Sequence, residues 1–174
     1  MIILPTTYLG SEEWYKYYLA NPAEVAIEVM ESFPKQTYRN RCTITTPDGL
    51  LTLSVPVKRA DSKQLTRDVE ISYQQRWQHQ HWIALMSAYK RTPYFDYYAD
   101  FFRPFYEKET KFLVDLNEGL HQVIEQLIRN SEFKIQNSQF TTDWMGQDLE
   151  PMFGEGKSIL DMLFEYGPET VIKL

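Results

Sequence analysis

The amino-acid sequence predicts an α+β fold in which the N-terminal half builds a mainly antiparallel sheet and the helices of the C-terminal half pack on it. Three observations carry that expectation. Period-two apolar patterns cluster before Trp77, a Thr-Pro-Asp-Gly turn at 46–49 joins two strand-like runs, and from Trp77 onward the apolar spacing becomes helical. The 174 residues suit one hydrophobic core, so 1–174 reads as a single domain.

Residues 1–4 are apolar and strand-like. Gly10-Ser11 then supplies a turn and an N-cap, with Glu12 and Glu13 in the first turn, where the helix dipole favours acids. That helix runs to about Leu19, with Trp14, Tyr17 and Tyr18 on one face, and Asn21-Pro22 ends it. In 24–30, Val25, Ile27 and Val29 alternate with Glu24, Ala26, Glu28 and Met30, the pattern of a half-buried strand. The runs 39–46 and 50–58 form a hairpin, and 67–73 adds another antiparallel strand through Val69, Ile71 and Tyr73. Residues 59–66 form a polar loop carrying Arg59 and Lys63. Trp82, Leu85, Met86 and Tyr89 place a helix from Trp77 to near Arg91. Thr92-Pro93 starts a second, lined by Phe95, Tyr98, Phe101, Phe102 and Phe105, which Pro104 kinks or splits. Leu113, Leu116, Leu120, Val123, Ile124 and Leu127 mark the most regular amphipathic helix. Residues 133–137 read as a short strand and 138–157 as loop, and Ser158 caps a last helix that Gly167-Pro168 stops.

The hairpin closes in one of two ways. A two-residue Pro47-Asp48 loop pairs Ile44 with Leu51 and Cys42 with Leu53, which matches the apolar sides and sends Arg39 and Arg41 to the opposite face. A three-residue loop with Gly49 as a bulge instead puts Arg41, Thr43 and Thr45 on the face of Leu51, Leu53 and Val55. One residue of slip exchanges the faces. The Pro-Asp-Gly chemistry makes the bulged form the expected one, with both arginines beyond the packed core at the mouth of a cleft.

The composition bounds the function. The net charge of -6 argues against a general nucleic-acid binder, yet residues 35–91 carry +6 and the remainder -12. Such asymmetry suits a basic face that takes a compact anion. No basic leader precedes the broken apolar start, and no run is long enough to span a membrane, so a cytoplasmic chain without membrane insertion is expected. A single cysteine, Cys42, gives neither a disulfide nor a thiolate metal cluster. No glycine-rich nucleotide loop or HExxH motif is present, and no cofactor or metal is expected.

Lys35, Arg39 and Arg41 are the candidate anion-binding groups, because an arginine's planar fork matches phosphate or carboxylate and Lys35 adds a point charge. His79 and His81 point to different sides of a helix and make no metal pair. His81 lies nearer the buried face, and two readings stand: a histidine bonded to backbone, or a general base. Tyr89 and Tyr94 flank the helix break and bring hydroxyls toward the same cleft, against the alternative of core tyrosines with satisfied hydroxyls. Cys42 reads as a small buried hydrophobe, and Asp96 and Asp100 as a solvated helix face.

Four segments then resemble successive blocks of one family: YRNRCTITTPDGLLTLSVPVKR, DVEISYQQRWQHQHWIALMSAYKRTPYFDYY, FLVDLNEGL and SILDMLFEYGP. In order and spacing they resemble the WbqC-like family, over about residues 2–167. The resemblance implies a bacterial protein connected with O-antigen and other surface polysaccharides, and an enzyme of nucleotide-sugar metabolism, such as a transferase moving an acyl or aminoacyl group to a nucleotide-linked amino sugar. A noncatalytic binding or assembly protein of a glycan pathway is the alternative. Its blocks pick out Pro5, Tyr8, Lys35, Asn40, Arg41, His81, Tyr89, Pro93, Tyr94 and Phe95. Tyr8 and Asn40 thereby join the candidate substrate-binding residues, although Asn40 also reads as a structural side chain bonded to backbone.

Overall fold

The computed structural model describes residues 1–20, 22–59, 63–129, 153–154 and 156–174. Strand β1 (Ile2–Pro5) leads through α1 (Glu12–Ala20) to β2 (Val25–Glu28), and β3 (Arg41–Thr46) turns into β4 (Gly49–Ser54). Helices α2 (Trp77–Tyr89), α3 (Phe95–Phe102), α4 (Pro104–Glu107) and α5 (Leu113–Arg129) follow, then α6 (Leu160–Tyr166) and α7 (Thr170–Lys173). The strand expected at 133–137 lies outside the described residues, as do most of the expected 138–157 loop and residues 60–62 of the 59–66 loop.

Strands and helices are mixed as expected, but the mainly antiparallel sheet is not what forms. Among the described residues there are two separate two-stranded sheets. Strands β1 and β2 pair in parallel from Ile2↔Val25 to Pro5↔Glu28. The intervening α1 returns the chain to its starting end, so β2 runs in the direction of β1. Strands β3 and β4 pair antiparallel. The expected 67–73 strand is reduced to isolated bridges, Val57↔Ile71 and Glu70↔Phe112, behind a single 3-10 turn at Thr66–Asp68. Its alternation still correctly placed Val69 and Ile71 in the core. What fails is the ladder: Pro56 has no N–H to donate, and β4 ends at Ser54.

The hairpin register is the other correction. Ile44 pairs with Leu51, Cys42 with Leu53 and Arg41 with Ser54, which is the two-residue closure rather than the bulged one. Ile44, Leu53, Cys42 and Val55 are buried, so slipping the register would expose that side of the hairpin. Gly49, at φ +117°, absorbs the turn that proline cannot make at a primed position. Arg39 and Arg41 therefore do not share the face of Leu53 and Val55.

The helices follow their caps. The Ser11 hydroxyl accepts the Trp14 N–H at 3.2 Å, and α1 buries Trp14, Tyr15, Tyr18 and Leu19. Pro104 divides α3 from α4, since a proline N1 is tolerated where a helix starts anew. Helix α5 buries Leu113, Leu116, Leu120, Ile124 and Leu127 along one stripe. Helix α6 ends at Gly167, whose φ of +52° favours glycine, and a Cβ there would meet the Tyr94 ring at 2.5 Å. The Tyr94 N–H also donates to the Phe164 carbonyl, so α3 is tied to the end of α6. Gly167→Ala should lower stability by about 1–3 kcal/mol, through both the left-handed backbone and the Tyr94 contact, read as a drop in denaturant midpoint with the m-value unchanged.

Candidate functional site

Among the described residues, a cleft of about 540 Å³ opens between residues 7–9 with Ser11, Pro34 with residues 36–39, the outer face of β3–β4, and Phe153, Gly154, Gly156 and Ser158. Hydrogen bonds between these segments shape it. The Tyr8 N–H and Thr7 hydroxyl both donate to the Tyr38 carbonyl, at 3.1 and 3.3 Å. The Ser158 hydroxyl donates to the Leu9 carbonyl and its N–H to the Thr43 carbonyl, each at 2.8 Å. The two-residue hairpin closure then decides the wall: with Cys42 and Ile44 turned into the core, Arg41, Thr43 and Thr52 face outward and line the cleft.

The two arginines of this cleft differ electrostatically. Arg39 is 1% exposed, and its Nε and Nη2 donate to the two carboxylate oxygens of Glu31 at 2.5 and 3.1 Å. Its Nη1 donates to the Thr37 hydroxyl, and its guanidinium lies over the Tyr38 ring at 4.9 Å. Arg41 is half-buried, with no hydrogen bond or ion pair to any described residue, and its Nε is buried without a partner. An unsatisfied charged donor in a cleft is costly unless something arrives to accept from it. Among the described lining residues there is no carboxylate, while Thr7, Tyr8, Ser11, Thr43 and Thr52 add hydroxyl groups.

Tyr8 connects the cleft to the core. Its hydroxyl lies 2.8 Å from His81 Nδ1 and 2.8 Å from the Tyr106 hydroxyl, and His81 Nε2 lies 3.1 Å from the Ser54 carbonyl. A carbonyl only accepts, so Nε2 carries the proton and Nδ1 is the acceptor. The chain therefore runs Tyr106 O–H to Tyr8 O, Tyr8 O–H to His81 Nδ1, and His81 Nε2–H to Ser54 O. Burial lowers the His81 pKa to about 4, against the smaller upward pull of the Ser54 carbonyl, and the ring is neutral near pH 7. Burial likewise raises the Tyr8 hydroxyl well above its ordinary range, with Tyr106 adding to it.

The remaining candidates are dispersed. Lys35 is exposed and is not a lining residue, although its neighbours Pro34 and Gln36 are. Asn40 is buried and donates from Nδ2 to the Val55 carbonyl at 2.9 Å. Tyr89 lines a different cleft of about 490 Å³, where its hydroxyl donates to Asp161 at 2.5 Å and burial and Asp161 together raise its pKa. Tyr94 stacks on Tyr98 at 5.7 Å and seals Gly167. Cys42 borders the first cleft, and its thiol is pushed up chiefly by burial, which keeps it protonated.

Sequence reasoning missed Glu31, Tyr38 and the wall formed by Phe153, Gly154, Gly156 and Ser158. A glycine-x-glycine-lysine-serine spacing at 154–158 could have drawn attention to that wall. The N–H groups of Ser158, Ile159 and Leu160 are not open to a phosphate, since they go to Thr43 O, Gly10 O and Ser158 Oγ. No spacing rule pairs Glu31 with Arg39. Among the described residues no group of three or more His, Cys, Asp or Glu is placed to hold a metal ion, and no helix is long and apolar enough to cross a membrane.

Fold and cleft together define a mixed α/β protein with an arginine-bearing, hydroxyl-lined cleft. The WbqC-like protein family matches residues 23–144, and the chain belongs to that family. The match takes in Lys35, Arg39, Asn40, Arg41, His81, Tyr89 and Tyr94, and leaves Tyr8 and Ser158 outside it. No curated protein and no solved structure matches the chain.

The His81 chain has a pH signature. The folded ring resists the proton that the unfolded chain takes up near 6.5, so the stabilisation is fully present above that pH and is lost as pH falls toward 4. Denaturant midpoints measured from pH 7.5 to 4 should fall by an amount worth up to about 3 kcal/mol from this group. His81→Gln should flatten most of that slope, leaving the part due to His121, whose pKa burial also lowers.

Proposed function

We propose that the cleft binds an anionic small molecule of the nucleotide-sugar class, and that the protein serves surface-polysaccharide or nucleotide-sugar metabolism as the family resemblance implies. The observation that carries this reading is Arg41, whose buried Nε has no partner in a cleft without a carboxylate among its described lining residues. A phosphate offers oxygen acceptors that match the guanidinium fork. Lys35, exposed beside two lining residues, adds attraction from outside the wall. Tyr8 supplies a wall, and Asn40 serves by anchoring the base of β3 to Val55.

Transfer of an acyl or aminoacyl group to an amino sugar requires a group that takes the amine's proton. His81 is the candidate, and from the cleft it is reached through the Tyr8 hydroxyl, which already donates to its Nδ1. That engagement favours the second reading, a noncatalytic binding or assembly protein of a glycan pathway that uses the same cleft. Tyr89 and Tyr94 support either reading from outside the cleft, by holding Asp161 and Gly167.

Calorimetry with UDP-N-acetylglucosamine tests the shared claim. Arg41→Ala should weaken binding at least about tenfold, because it removes a charge-assisted contact, while circular dichroism stays that of the parent. Unchanged affinity in a folded Arg41→Ala variant contradicts the assignment. Given a nucleotide-linked sugar that carries a free amine and an activated acyl donor, N-acylation of the sugar with release of the donor's carrier would separate enzyme from binder.

A further inference from the structure

We propose that the Gln36 amide is the specificity-determining group of the cleft, reading the hydrogen-bonding edge of a nucleobase while Arg41 takes the phosphate. The inference rests on reading the cleft as an anion site, and it names what holds the part of the ligand that Arg41 does not. Among the described residues two that are not glycine have a left-handed backbone, Leu9 at φ +46° and Gln36 at φ +61°, and both line this cleft. Leucine and glutamine adopt that conformation at a cost, and residues held in it gather at ligand sites.

The two differ in what offsets the cost. Leu9 is buried in the core and its carbonyl accepts the Ser158 hydroxyl, so packing holds it. Gln36 is exposed, and its side chain makes no hydrogen bond to a described residue. It sits in the turn that the Thr37 hydroxyl closes on the Pro34 carbonyl at 3.4 Å, where glycine would be free of strain. What glycine would lack there is an amide at the cleft. That amide sets a carbonyl acceptor beside an NH2 donor, and the uracil edge presents the complement, a ring N–H beside a carbonyl. Two positions before and after Gln36, Pro34 and Tyr38 line the cleft with apolar and aromatic surface, and the Tyr38 ring meets Phe153 edge to face at 6.0 Å. This side suits a flat ring. Arg41 lies apart from the turn, at the start of β3.

Calorimetry of the full chain with uridine diphosphate and with inorganic pyrophosphate, at matched ionic strength, tests the assignment, because the nucleoside is what separates the two probes. Two variants separate amide from backbone: Gln36→Ala removes the amide and keeps the left-handed cost, whereas Gln36→Gly removes both. Each should weaken uridine diphosphate about tenfold, the worth of a paired donor and acceptor, and leave pyrophosphate within about twofold of the parent. Gln36→Gly alone should also raise the denaturant midpoint. Uridine diphosphate affinity that is unchanged in Gln36→Ala overturns the proposal, and so does equal weakening of both probes, which would make Gln36 a support of the turn. In both of those outcomes Arg41→Ala still weakens both probes if the anion-site reading holds. Affinities indifferent to Arg41→Ala, or a parent that binds neither probe, remove that reading and this proposal with it.

Discussion

The two-residue closure at Pro47-Asp48 decides which side of the β3–β4 hairpin meets the core, and the cleft depends on that choice. Because side chains alternate along a strand, one register serves two purposes at once. It buries Cys42, Ile44, Leu53 and Val55, and it commits Arg41, Thr43 and Thr52 to the cleft. The apolar side supplies the free energy that holds the polar side in place. An arginine with no partner among the described residues is tolerated at 41 because four buried neighbours oppose the slip that would move it.

The buried polar groups around this hairpin extend the same constraint. The Tyr106–Tyr8–His81–Ser54 chain joins the segment after β1, the end of β4, α2 and α4, and every hydroxyl or ring nitrogen in it has a defined direction of donation. Asn117 from α5 donates to both the Thr6 hydroxyl and the Arg39 carbonyl, which ties the long helix to two edges of the cleft. Glu31 and Arg39 close the third side. Such networks are rigid where they are satisfied, which suits a cleft wall in which Arg41 Nε stays open beside donors that are filled.

Much of the fold was legible because it is local. Ser11 marks a helix end by its hydroxyl, Pro104 and Gly167 mark theirs by the chemistry of their own backbone, and the stripe of α5 needs no partner to be recognised. Sheet pairing was less accessible. The period-two pattern of 67–73 correctly put Val69 and Ile71 inside, but burial does not determine a hydrogen-bond partner, and Pro56 cut the ladder those residues were expected to join. Parallel pairing of β1 with β2 depends on where α1 returns the chain. In the hairpin, turn chemistry and apolar pattern disagreed, and the burial of four side chains outweighed one turn preference. For the cleft, composition pointed to arginines 39 and 41 but not to their difference, since what neutralises Arg39 is Glu31, eight positions away in an irregular stretch. His81 was placed on the buried side of its helix by spacing, whereas its bonds to Tyr8 and Ser54 span contacts that only the folded chain brings together.

The difference between Arg41 and Arg39 is the central physical claim, and it is directly observable in the Nε–H resonances of the two arginines by nitrogen-15 NMR. On titration with phosphate, the Arg41 Nε–H signal should shift and become protected from exchange, while the Arg39 signal, already protected by Glu31, stays where it was. A phosphate-dependent shift at Arg39 with none at Arg41 would contradict the account.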